Sequence, residues 1–209
     1  MGDCCSSKGC ELENLARQRE QRRVLLIVLA INALMFVGEF GAGLIAGSAA
    51  LMADSVDMLG DAIVYGLSLY ALDRGARWKA GAALAKVGFI LFFGLGVLVQ
   101  IVVKLTSGIP PASDLMLVTA AIALAANAVC LALLWRFRSQ DVNMASTFEC
   151  SRNDVIANIG VIAAAGAVAA TGAAWPDILV AGVIAALFLR SAFRVIFQAW
   201  PQFRGAAAA

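Results

Sequence analysis

One stretch of this sequence is at odds with itself. Residues 47–72, GSAALMADSVDMLGDAIVYGLSLYAL, are apolar and long enough to cross a bilayer, which takes about 20 residues. Yet they carry Asp54, Asp57 and Asp61 at i, i+3 and i+7, so a helix here sets three carboxylates along one stripe. An Asp at mid-helix costs about 2.5–3.5 kcal/mol in a membrane, while each Leu, Ile or Val returns about 0.3–0.6. Two deep acids cancel most of what the aliphatic residues supply. Such a helix persists only if its carboxylates face protein, protons, water or a metal ion.

The rest of the chain places this conflict inside a membrane. Of 209 residues 62% are hydrophobic, and apolar runs recur along nearly the whole length. Lipid leaves a spanning backbone only the helix or the closed barrel, and these runs are too long and continuous for barrel strands. The expected fold is all-α, with six transmembrane helices near 24–46, 48–72, 79–104, 114–136, 144–172 and 177–199. Thirteen of the 16 Lys and Arg fall before the first span, in the 72–79 and 136–138 loops, or at the C-terminal end. That asymmetry predicts cytoplasmic termini. A multi-pass protein of a cell membrane is expected, with a bacterial inner membrane as its home. The charged first 23 residues lack an early apolar core and are not expected to be a signal peptide. A net charge of +2 gives no footprint for nucleic acid, and none is expected as a partner.

Polar residues inside the other spans fall into a pattern. The first span holds Asn32 and Glu39, and an acid at that depth is a functional candidate by default. Gly43 and Gly47 are spaced for close helix contact, and the turn at Gly47–Ser48 is short enough to make the first two spans an antiparallel hairpin. The fourth span carries Asn127 in mid-membrane and Cys130, which reads as a small apolar filler. In the fifth, Cys150, Asp154 and Asn158 recur every four residues, again one stripe. Arg152 lies off that stripe and is expected at the interface or against an acid of a neighbouring helix. Pro176 opens the sixth span, with Asp177 near the outer surface.

Set face to face, the two stripes offer Asp57, Asp61, Cys150 and Asp154. An i, i+4 pair on each of two helices supplies four donors, the coordination number of tetrahedral Zn²⁺. The thiolate disfavours Mg²⁺, which wants octahedral oxygen, and favours Zn²⁺, Cd²⁺ or another borderline-soft ion. The chain has no His, so no imidazole contributes. Metal and protons compete for the same oxygen and sulfur atoms, so binding one releases the other. Intramembrane Asp residues also serve as helix–helix glue, but two such pairs on separate spans are harder to account for by packing. Cys4, Cys5 and Cys10 sit on the reducing side, where thiols stay reduced; they either capture a thiophilic ion or are ordinary thiols.

At these residues the chain resembles the cation diffusion facilitator family of proton-coupled divalent-metal exporters, from about Val24 to Arg194. GSAALMADSVDMLGDA is similar to the family's second-helix motif, with Asp57 and Asp61 at its paired ligands, and NDVIANIGV to its fifth-helix motif, with Asp154 at the Asp. Glu39, Asn127 and Asp177 also fall where the family carries such residues. Cys150 stands where the family has His or Asp, which bears on metal preference. The resemblance implies a short form without the family's C-terminal cytoplasmic domain; any homodimer would then form through the transmembrane helices.

The expected organisation is a cytoplasmic segment 1–23, a six-helix domain 24–199 and a tail 200–209. The expected function is proton-coupled efflux of Zn²⁺ or Cd²⁺, with no enzymatic activity and no permanent cofactor. Its partners are divalent metal ions, protons and the lipid bilayer. Asp57, Asp61, Cys150 and Asp154 are the candidate ligands; Asp54, Asn127 and Asn158 support them, and Glu39 is a proton-path candidate. Two alternatives stand beside it. A proton-coupled exporter of small organic cations would use the same acids without metal and tolerate Cys150→Ser. A membrane metal sensor or scaffold would act through Cys4, Cys5 and Cys10.

Overall fold

A computed structural model describes the backbone of residues 3–70, 76–139 and 142–205. Among them are six helices and no strand: α1 (Asp3–Ala46), α2 (Ala49–Tyr70), α3 (Ala76–Ser107), α4 (Ser113–Trp135), α5 (Val142–Thr171) and α6 (Trp175–Gly205). The six expected spans are present, but several helices outrun them. α1 continues as one helix from Asp3, because the polar segment before Val24 is helix-forming even where it is too charged for lipid. The side chains of Cys4, Cys5 and Cys10 lie outside the described residues.

Four described stretches are long and apolar enough to cross a bilayer: Arg19–Ala46, Val87–Ser107, Ser113–Trp135 and Thr147–Thr171. Their large apolar side chains point outward, among them Leu34, Ile45, Phe92 and Leu105. Glu39, Asp54, Asn127, Asp154 and Asn158 are buried instead. Apolar outside and charged inside is the inverse of a water-soluble fold, and it suits lipid as solvent.

The helices pack as three intimate pairs, α1 with α2, α3 with α6 and α4 with α5. α2 is the central element, touching α1, α3, α5 and α6. The first pair is the expected hairpin. Gly47 adopts φ +63°, a conformation that favours glycine. Ser48 N–H donates to Gly43 O at 2.8 Å and Gly47 N–H to Leu44 O at 3.3 Å. This is a Schellman cap, which ends α1 and turns the chain straight into α2. Below the turn Gly43 lets the helices close: a Cβ there would lie 2.8 Å from Met52 Cγ and 3.1 Å from Met52 N. The same antiparallel register persists to the far end, where a Cβ on Gly66 would meet Leu29 Cδ1 at 3.2 Å. Between α3 and α6, Gly94 makes room for Phe188. An edge-to-face aromatic group, Phe36 and Phe40 against Phe93, joins α1 to α3.

Candidate ion pathway in the membrane interior

The buried face of α1 carries Val28, Asn32, Glu39 and Ala46, successively four or seven residues apart and hence one stripe. Asn32 Nδ2 donates to Val28 O one turn back at 2.9 Å, so its amide is anchored on its own helix. Asn158 does the same on α5, donating to Asp154 O at 2.8 Å. Each anchoring leaves the Oδ1 atom buried and, among the described residues, without a donor. Both carboxylate oxygens of Glu39 and of Asp54, both amide atoms of Asn127, and Oδ2 of Asp154 are in the same condition. Buried polar atoms are ordinarily hydrogen-bonded, so such a concentration is a departure from packing logic.

Depth along the helices orders these groups. Outer here means the end carrying the Gly47 turn, outward by the charge asymmetry. At 1.5 Å per residue, Asp54, Asp57 and Asp61 lie about 7, 12 and 18 Å below Ala49, and Glu39 about 10 Å below Ala46. Counted from Thr171 on α5, Asn158 lies at about 20 Å, Asp154 at about 26 Å and Cys150 at about 32 Å. From Ser113 on α4, Asn127 lies at about 21 Å and Cys130 at about 26 Å. The polar groups therefore form a ladder, each rung placed along its own helix.

Asp154 lies within electrostatic reach of Asp61, Asp57, Asp54 and Glu39, and Glu39 within reach of Asp54. Asp61, Asp154 and Asn158 are buried, while Asp57 and Cys150 are half-buried. Among the described residues, no three Asp, Glu or Cys side chains converge closely enough to hold one metal ion. The α2 and α5 stripes share a space, with Asp154 within electrostatic reach of Asp61 and Asp57. Cys130 is fully buried in an apolar group with Val28, Leu134, Phe137 and Met144, and Asp154 is its charged neighbour.

Three placements differ from the sequence reading or were missed by it. Of the two placements expected for Arg152, the acid on a neighbouring helix is corrected: the exposed side chain pairs with Glu149 on its own helix, one turn back. Asp177, at the outer start of α6, is fully buried in protein, which the sequence reading did not include. Lys104, which the sequence reading did not single out, is 5% exposed and donates to Ile109 O at 3.1 Å. A lone Lys beside a glycine turn was the available signal.

Membrane-length helices arranged around a charged interior define a multi-pass helical membrane protein. Comparison with known proteins takes this further: residues 25–202 match the cation efflux transmembrane domain, and the chain belongs to that family. It is 25% identical over 198 residues to the metal cation efflux system protein CzcD of Cupriavidus metallidurans, an alignment covering 86% of this chain. It is also 25% identical over 196 residues to the zinc transporter ZitB of Yersinia pestis, covering 88% of this chain. The chain spans 63% of the length of each of these relatives.

Proposed function

We propose that this protein exports divalent transition or heavy-metal cations, Zn²⁺ or Cd²⁺, from the cytoplasm in exchange for protons. The observation that carries the reading is the ladder of buried acids and unpartnered polar oxygens through the centre of a cation efflux bundle. Such groups are expensive in a membrane interior unless something charged visits them. The names of the relatives, a metal cation efflux protein and a zinc transporter, support the class of cargo.

In this reading the ion enters from the cytoplasm at Cys150 and Asp154 and is taken up by Asp61 and Asp57. Closing the gap between α2 and α5 would bring the four donors to tetrahedral coordination. The buried Oδ1 atoms of Asn127 and Asn158 replace part of the ion's lost hydration. Asp54 and Glu39 then offer carboxylates on the outward side and take the incoming protons. Moving one charge against 100 mV costs about 2.3 kcal/mol, so a dication costs about twice that, and protons moving inward offset it.

The test is metal flux into vesicles containing the purified protein, for Zn²⁺, Cd²⁺, Mn²⁺, Fe²⁺, Ni²⁺ and Co²⁺, with and without an imposed pH gradient. An acidic lumen should accelerate uptake of Zn²⁺ or Cd²⁺, and Asp57→Ala should reduce uptake to the protein-free rate. Normal flux in Asp57→Ala would refute the ligand assignment, and flux indifferent to the gradient would refute proton exchange.

A further inference from the structure

The first turn of α2 has its four N–H groups fully accounted for, and not by its own side chains alone. Leu51 N–H donates to Ser48 Oγ at 3.1 Å and Met52 N–H to Ser48 O at 3.3 Å, the expected work of an N-cap serine. The other two go to a residue 127 or 128 positions away. Ala49 N–H donates to Asp177 Oδ2 at 2.9 Å and Ala50 N–H to Asp177 Oδ1 at 3.1 Å. Ser48 Oγ–H adds a third bond to Asp177 Oδ1 at 2.7 Å. Asp177 stands in the first turn of α6 and is 0% exposed. A buried carboxylate on the positive end of a helix dipole is a strong attachment.

Two more strands of chain meet there. The Lys104 ammonium of α3 sits over the turn, where a Cβ on Gly47 would lie 3.6 Å from its Nζ, and it faces Asp177 electrostatically. Ala112 N–H, in the loop between α3 and α4, donates to Ala46 O at 3.0 Å. The α1–α2 turn, the α3–α4 loop and the start of α6 thus close over one polar knot. Asp54 is five residues below it. The knot lies at the outer end of the acid ladder, where α6, packed as a pair with α3, meets α2.

We propose that Asp177 is a positioning residue of the transport cycle: with Ser48 and Lys104 it holds α2 against α6 and keeps the outer side shut. Its consequence for flux rests on the transport reading above, but the state of the outer side can be measured with no metal present. The reporter is Ser55→Cys, a near-isosteric change at a fully buried α2 position, with Cys150 kept as the inner reporter and the other cysteines replaced. A membrane-impermeant maleimide is applied from each side, and labelling is located by mass spectrometry. Asp177→Asn keeps the shape but loses the charge, so outside labelling of position 55 should rise about tenfold while inside labelling of Cys150 falls. Ser48→Ala should give the same sided change, about threefold. If Asp177→Asn does not fold, Ser48→Ala decides alone. Unchanged outside labelling, or an equal rise from both sides as a merely loosened bundle would give, overturns the proposal.

Discussion

Gly43→Ala tests the packing that holds the acid stripe in place. The new methyl would sit 2.8 Å from Met52 Cγ, 3.1 Å from Met52 N and 3.3 Å from Leu51 Cβ. The thioether arm can swing away, but the backbone nitrogen cannot, because it is bonded to Ser48 O. The α1–α2 contact must open by a few tenths of an ångström. Overpacking of this kind costs about 1–3 kcal/mol. Replacing a mid-helix glycine by alanine returns about 1 kcal/mol, so the net effect is about 0–2 kcal/mol destabilising. Gly38→Ala on the same helix is the control, since nothing lies within 4 Å of its Cβ position and only the gain applies. The two variants should therefore differ by about 1–3 kcal/mol, which at about 2–4 °C per kcal/mol is roughly 2–12 °C in melting temperature. Thermal unfolding of the purified protein in one detergent reads this directly. Equal melting temperatures, or a higher one for Gly43→Ala, would refute the close crossing.

Two further outcomes are expected. Gly47→Ala forces an alanine into the left-handed region at φ +63°, a penalty of about 1–2 kcal/mol, and calorimetric unfolding should show it as a lowered midpoint. Apparent affinity for Zn²⁺ should rise with pH, because raising pH removes the protons that compete for the carboxylates and thiol; titration calorimetry in buffers of different ionisation enthalpy should show proton release on binding, and less of it in Asp57→Asn.

Much of the architecture was legible because lipid enforces it. Apolar run length reports what must cross a bilayer, and the glycine–serine turn between two such runs leaves room only for a hairpin. Run length does not report where a helix ends, which is why α1 reaches back to Asp3 through residues that no membrane would accept. Helical spacing correctly put Asp154 with Asn158 on one buried face of α5. It carried no information on relative depth, since that depends on where α2 and α5 each begin. Asp177 was least legible: a cap supplied from 129 residues away by Asp177 to Ser48 leaves no local pattern, and an acid next to a first-turn proline reads as an interfacial residue.

The most direct test of the central claim, that donors from α2 and α5 jointly bind the transported ion, is Cd²⁺ X-ray absorption on protein carrying Ser at positions 4, 5 and 10. One sulfur among oxygen scatterers in the metal's first shell is predicted, lost on adding Cys150→Ser and retained on adding Cys130→Ala. A sulfur signal that survives Cys150→Ser, or an all-oxygen shell from the outset, would contradict it.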